Sequence, residues 1–521
     1  MQQIIDLVLN PKDASSDKQY SLAIAKKIGV NPDRISKIRI LKKSIDARHR
    51  DVLINMGFQV FIDEEPTFEN KSKYEYPFVG NKEQVIIVGA GPAGLFAALR
   101  LIELNYKPII LERGKEVSER KKDVAILSRD NIVNPESNYC FGEGGAGTFS
   151  DGKLYTRSNK KGNLQKVYEI FNFHGASDEI LYEAHPHLGT DKLPEIIKNI
   201  RSTILKSGGD IHFNCRVDGL KIEDNHLKGV FSQDGTLYDS KAIILATGHS
   251  ARDIYKLLFE NNVALEAKPF AMGVRVEHPQ ELINEIQYHG NSYSEYLPAA
   301  AYNLAEQIAG RGVFSFCMCP GGFVIPSATN QSQVVTNGMS ASKRNSPFAN
   351  SGIVVEIKAE DLSQFKEYGI LAGMAFQENL ENMAWQNGGR SQTAPAQCLT
   401  DFVNSRKSST IPKVSYFPGV ISSPIHLWLP DIISQSLREG FKKFNNKMHG
   451  FNTNEAVIMG VESRTSSPVR IPRDKDAYCH ISLKGFYPCG EGAGYSGGIA
   501  SSAMDGENCA DKVAFALKNN L

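Results

Sequence analysis

One stretch constrains this chain more than any other: VIIVGAGPAGLFAALRLIELNYKPIILERG, beginning at Val85. Val85 to Val88 is a short apolar run of strand type. Leu95, Leu99 and Ile102 recur at helical spacing, Pro92 suits the first turn of that helix, and Ile109 to Leu111 is a second apolar run. Strand, tight turn, helix and parallel strand make a complete βαβ unit. Between strand and helix stands Gly89-Ala90-Gly91-Pro92-Ala93-Gly94, a GxGxxG in the context that makes it a dinucleotide fingerprint. Gly89 permits the turn, Gly91 lets the backbone approach a pyrophosphate, and Gly94 allows close helix-strand packing. The helix N-terminus offers N–H groups to the phosphates. Glu112 ends the second strand, where a carboxylate accepts the hydroxyls of an adenosine ribose.

The rest of the chain organises around that unit. At 521 residues, about three domains of roughly 150 residues are expected. Residues 1–78 alternate short apolar runs with a basic helical stretch (QQIIDLVLN, SLAIAKKIG, KIRILKKSID) and end in the extended FQVFID, a small α/β unit. The polar segment 63–83 reads as a linker, and a new domain begins near Gln84. Leu193, Ile196, Ile197, Ile200 and Ile204 mark a helix that stops at Gly208-Gly209, and strand-like runs follow in IHFNCRVDGL, LKGVFS and KAIILATG. From 271 to 460, Gly, Ser and Pro breaks interrupt strands such as GIVVEI, which suits an inserted domain. The C-terminal GGIASSAMDGENCADKVAFALKNN is helical.

Two later segments favour FAD over NAD by resemblance. KAIILATG, with Thr247 and Gly248, resembles the strand-plus-ATG signature of two-dinucleotide-binding-domain flavoproteins, and FYPCGEGAGYSGGIASSAMDG resembles their ribityl-binding signature. That family has Gly-Asp where this chain has Gly490-Glu491. Gly497, Gly498 and Ile499 open the terminal helix, so their N–H groups and the helix dipole suit the flavin pyrimidine ring. More specifically, the chain resembles a bacterial family of FAD-dependent dehydrogenases. The blocks that carry this likeness are FGEGGAGTFSDGKLYTR, ATGHSARD, FCMCPGG, TNGMSASKRNSPFANSG and VESRTSSPVRIPRD. The resemblance implies an α/β fold in which a Rossmann-like FAD domain (84–270 and 461–521) carries an inserted α+β substrate domain (271–460) and the small N-terminal unit. It also implies that Ala93, Arg113, Gly144, Gly145 and Val217 lie at a non-covalent FAD.

Gly142 to Gly147 has no strand pattern before it, so it is not a second dinucleotide turn. Its small residues suit a loop against the flavin or pyrophosphate, with Thr148 and Ser150 as hydroxyl donors, or a loop with no ligand contact. A dedicated NAD(P)H domain is not expected, so NAD(P)H, if it is the electron donor, enters the substrate cleft only transiently. Cys317 and Cys319 form a CxC that reads as a redox pair or, preferred here, as small cysteines packed in a strand. His249 and Arg252 either orient the cofactor or cap a helix. Arg464, Arg470 and Arg473 form either an anion clamp or ordinary ion pairs.

Composition excludes some functions. Lys plus Arg is 59 and Asp plus Glu is 58, a net charge of +1 that gives no global field for nucleic acid or anionic lipid. Lys26 to Arg50 holds nine Lys/Arg and two acidic residues, but lacks the aromatic stacking residues of an RNA-binding sheet, so a solvated face is preferred over an RNA contact. Eight cysteines without zinc-type pairs suggest a reducing compartment, and MQQIIDLVLNPKD is no signal peptide. The expectation is a cytoplasmic flavoenzyme acting on a small molecule, with catalytic residues and oligomeric state unassigned, and with no metal or membrane involved.

Overall fold

The computed structural model describes residues 1–64, 74–156, 162–290 and 294–520. Part of the expected linker, residues 65–73, and Arg157 of the FGEGGAGTFSDGKLYTR block lie outside them.

Residues Val85 to Val88 are apolar on both faces of their strand and are buried on both. Such a strand belongs in the middle of a parallel sheet covered on two sides, and Gln84–Val88 is the central strand of five. The order is Phe486–Pro488, Ile243–Leu245, Gln84–Val88, Lys107–Leu111 and Asp210–His212, with every pairing parallel. One edge strand therefore comes from near the C-terminus, some 400 residues along the chain from the turn it flanks. The helix Pro92–Glu103 lies on this sheet, and Ile499–Lys518 packs against it so closely that a Cβ on Gly506 would stand 2.1 Å from the Ala93 carbonyl oxygen. Small residues on both helices permit the approach.

The N-terminal unit is an antiparallel sheet ordered Gln2–Leu9, Leu53–Ile62, Ile35–Asp46, with the helix Asp17–Ile28 over one face. Ile5, Leu7, Ile24, Met56, Phe58 and Val60 form its core. KIRILKKSID falls within the edge strand Ile35–Asp46, where exposed lysines discourage pairing with another sheet.

A seven-stranded mixed sheet occupies the middle of the chain. Its order is Ala305–Ile308, Arg311–Cys319, Phe348–Ile357, Phe270–Pro279, Val457–Glu462, Ala394–Cys398 and Val420–Ser422, and only the last pair is parallel. The helices Ala372–Asn387 and Asp431–Lys447 pack their apolar faces into its core. The whole is α/β, a Rossmann-like parallel sheet with an inserted α+β unit. The expected borders at 270/271 and 460/461 fall inside the strands Phe270–Pro279 and Val457–Glu462. Glycine-dotted VIMGVES does not announce a strand end, so spacing alone misplaces it. No helix among the described residues is long and apolar enough to cross a membrane.

Candidate functional site

The three glycines of the turn differ in what holds them. Gly89 has φ of +106°, and a Cβ there would stand 2.6 Å from the Ala246 carbonyl oxygen; at Gly94 a Cβ would stand 2.0 Å from the Gly89 carbonyl oxygen. Neither position admits a side chain. Gly91 has an ordinary φ of −77°, and the nearest atom to a Cβ there is the Gly145 Cα at 3.8 Å. Nothing at all lies within 4 Å of a Cβ on Gly497 or Gly498, and Gly498 is extended at φ −178°. The protein itself does not require glycine at these three positions. All three line one cavity of about 1300 Å³, so the missing side chains keep open a space meant for something else.

Two helices begin at that cavity. Pro92–Glu103 starts behind Gly91 and Ile499–Lys518 behind Gly498, and neither has a side-chain cap. Uncapped helix N-termini present N–H groups and the positive end of the dipole. Glu112 is buried at the end of its strand. Its Oε2 accepts the Ala90 N–H at 2.8 Å, and its Oε1 accepts those of Gly114 at 2.9 Å and Gly142 at 3.0 Å. A carboxylate offers about four lone-pair sites, so one remains for a ligand hydroxyl. That is less than the sequence reading gave it, because the same group ties three loops together. Arg113 pairs with Glu136 at 3.0 Å and lies over the Phe141 ring at 4.1 Å.

The glycine block folds over the turn, with the Gly144 N–H donating to the Ala90 carbonyl at 2.8 Å. Its organiser is Arg120, fully buried, which donates to the carbonyls of Asn138 (2.8 Å), Tyr139 (2.9 Å), Glu143 (2.7 Å) and Gly145 (2.9 Å). Burial lowers its pKa to about 10. Sequence reading missed it, since it sits in the polar helix Val117–Asp130 with nothing to mark it. Thr148 corrects an expectation. Its hydroxyl donates to the Glu143 carbonyl at 3.0 Å and accepts from Arg120, facing the protein rather than the cavity. Ser150 does line the cavity, with its hydroxyl donating to the Gly147 carbonyl at 2.7 Å.

All the predicted cofactor residues except Gly94, Gly144, Thr148 and Gly490 line the cavity; Ala93, Gly145, Val217, Thr247, Gly248 and Ile499 join those already named. Gly490 turns the backbone instead, with φ of +77° and its N–H donating to Asp505 at 2.8 Å. Glu491 reaches the wall, its Oε1 3.4 Å from His249 Nδ1, while His249 Nε2 is 3.1 Å from the Arg464 carbonyl.

The arginines form internal pairs. Arg252 and Arg464 both bond the buried Glu381, at 2.8 and 3.0 Å, and Arg473 bonds Asp505 at 2.6 Å between the rings of Tyr478 and Tyr495. Arg470 lies 3.9 Å from Glu266. An anion clamp built from these side chains is not formed. The cysteine pair is divided: Cys319 is buried as expected, whereas Cys317, on a bulge with φ of +48°, opens onto the cavity floor. Both thiols are free, and burial in the surrounding protein pushes both up, Cys319 to about 12.

A family described as FAD-dependent protein, C-terminal domain-like, matches residues 269–465, and a domain of unknown function matches residues 1–61. An uncharacterized protein of Clostridium beijerinckii is 41% identical over 509 residues, covering 94% of each chain. Among solved structures, glycine oxidase from Bacillus cereus is 12% identical over 84% of this chain and 96% of its own, at a TM-score of 0.32. CtdE in complex with FAD is 12% identical over 84% and 85%, at 0.33. Scores this low carry nothing about the reaction.

Proposed function

This chain belongs to one family with the Clostridium beijerinckii relative and matches an FAD-dependent protein family over residues 269–465, and from that premise we propose that it is an FAD-dependent oxidoreductase acting on a small organic molecule. The observation that carries the reading is the side-chain-free wall at Gly91, Gly497 and Gly498, beside two uncapped helix N-termini on one cavity. A pyrophosphate and an electron-accepting ring are the anionic groups such termini suit. Gly91, Ala93 and Gly145 would hold the pyrophosphate, Glu112 and Val217 the adenosine end, Thr247, Gly248 and Glu491 the ribityl chain, and Gly497 to Ile499 the ring. Bound flavin supplies hydride exchange with the substrate.

The chain's own residues position and enclose. Arg120 fixes the loop over the turn, Glu112 joins turn and loop, and Glu381 ties the inserted unit to Arg252 and Arg464 on the FAD side. At about 1300 Å³ the cavity exceeds the roughly 300–1,000 Å³ of a single-ligand pocket, which leaves room for a second molecule. Its far half is walled by the inserted and N-terminal units.

Acid release and chromatography of the purified protein should yield FAD. FMN alone, no flavin after reconstitution, or an acid-stable adduct would refute the reading. Anaerobic mixing with NADH or NADPH then tests for enzyme turnover. A flavin that no donor bleaches would favour a regulatory or redox-sensing protein instead.

A further inference from the structure

Three large apolar side chains stand exposed on the cavity wall, and each comes from a different unit of the chain: Ile45 from the N-terminal sheet (39% exposed), Tyr155 from the FAD side (49%) and Tyr296 from the inserted unit (39%). All three belong to the place where the N-terminal unit is fastened to the other two. Two residues before Ile45, the Lys43 N–H donates to the Tyr182 carbonyl and the Lys43 carbonyl accepts the Ala184 N–H, both at 2.9 Å, so the strand Ile35–Asp46 runs beside the segment that leads to His185. His185 in turn stands edge to face with Tyr155, ring centroids 4.6 Å apart. On the other side His289 Nε2 donates to the Ala47 carbonyl at 3.1 Å, and Leu297, next to Tyr296, packs against the cores of both units. Apolar surface left open in a concave place marks a ligand groove.

The charged groups of this half are engaged with one another. Arg344 holds the buried Asp151 in a two-point bond at 3.0 and 2.5 Å, Lys43 pairs with Glu183 at 3.1 Å, and Lys153 donates to the Met318 carbonyl. The remaining acids on the wall, Glu179 and Glu295, are exposed to solvent, where a carboxylate adds little for a cation. His185 and His187 are neutral at pH 7, because burial holds both below the ordinary imidazole range. No cation is left over for an anion, and an ionic group brought against the rings would lose water without gaining a partner.

We propose that this junction seats an uncharged aromatic ring of the substrate against Ile45, Tyr155 and Tyr296, and that the N-terminal unit, matched by a domain of unknown function, is thereby part of the substrate site. Flat side chains favour a flat ligand, which they meet offset or edge to face. That the ring is a substrate's rests on the flavoenzyme reading above; the seat itself does not.

Three probes of one size and three charges test the seat on the purified holoenzyme by equilibrium dialysis at pH 7: 2-naphthol, 2-naphthoate and 2-naphthylmethylammonium. The neutral probe should bind about tenfold tighter than either ion, the difference being an unpartnered charge beside the rings. Ile45→Glu, at an exposed position that tolerates the change, should weaken 2-naphthol by about tenfold. Tyr155→Ala should weaken it by about fivefold, whereas Tyr155→Phe, which keeps the ring, should bind it like the parent. An ion that binds as tightly as 2-naphthol, no binding of 2-naphthol, parent affinity in Ile45→Glu or in Tyr155→Ala, or a loss in Tyr155→Phe equal to that in Tyr155→Ala would each overturn the seat. Flavin content is measured on the same samples: 2-naphthol binding without flavin supports the seat and refutes the flavoenzyme reading alone, and full flavin without 2-naphthol binding does the reverse.

Discussion

Gly145 lies directly against Gly91: a Cβ on Gly145 would stand 3.1 Å from the Gly91 Cα, with the Gly145 φ at +63°. The glycine block thereby closes over the dinucleotide turn with backbone alone, and the space at Gly91 opens toward the cavity.

Gly91→Ala therefore separates chain from ligand. The new Cβ meets only an ordinary contact at 3.8 Å, so unfolding of the flavin-stripped protein should shift by no more than about 1 kcal/mol. FAD affinity should nevertheless fall at least tenfold, and Gly91→Val should retain none. Gly89→Ala reverses the pattern, because its Cβ meets the Ala246 carbonyl and its φ is positive; the flavin-stripped protein should itself be destabilised. Full FAD occupancy in Gly91→Val would show that the turn has been assigned wrongly.

Glu112→Gln should weaken both fold and flavin. Its two oxygens accept three backbone N–H groups, and a carboxamide has only one oxygen to offer them. At least one buried donor then loses its partner, at a cost of about 1–3 kcal/mol. Denaturant unfolding of the flavin-free protein checks the first effect and FAD titration the second; unchanged unfolding would mean that those contacts add nothing to stability.

These contrasts show what the sequence could express. The turn, its helix and the returning strand are contiguous, so the spacing of Val85 to Glu112 contains their geometry almost complete. Likewise Gly497 to Ile499 announce a helix start. What spacing cannot express is partnership at long range. The strand Phe486–Pro488 is three residues long, and only the sheet shows that it lies beside Ile243–Leu245. Arg120 is one arginine in a polar helix until five carbonyls from the loop at 138–145 converge on it. For Arg464 and Arg473 the sequence left an anion clamp and ordinary ion pairs equally open, because Glu381 and Asp505, their partners, lie far away along the chain. Thr148 sits in the right loop, yet its hydroxyl faces inward, a matter of local backbone turns rather than of residue type.

Glu277 sets a pH dependence of stability. Burial is the larger influence and raises its pKa from 4.5 to about 7, against the Ser415 N–H and hydroxyl that both bond it. Between those two values the folded protein holds a proton that the unfolded chain has lost. The contribution is full below about 4.5 and disappears as pH rises through about 7. Glu277→Gln should flatten the fall in Tm between pH 5 and 8, by roughly 3 kcal/mol in stability. A parent whose Tm rises across that range, or a variant with an unchanged slope, would contradict the assignment.

The last prediction concerns Cys317 and Cys319. Cys317 opens onto the cavity, whereas Cys319 is buried with its thiol donating to the Cys317 carbonyl at 3.3 Å, so the two sulfurs occupy different surroundings. Raised thiol pKa values leave little thiolate to attack a disulfide or a flavin, because the thiolate is the reactive form. A ring closed across one intervening residue would also strain disulfide geometry. The double variant Cys317→Ser/Cys319→Ser should accordingly keep its FAD, and any donor that reduces the parent should reduce it at the same rate. Stability should drop by about 1 kcal/mol, from a hydroxyl in the packed place of Cys319. Anaerobic dithionite titration decides the point: two electrons per flavin in both proteins agree with packed cysteines, whereas four in the parent and two in the variant would make the pair redox-active.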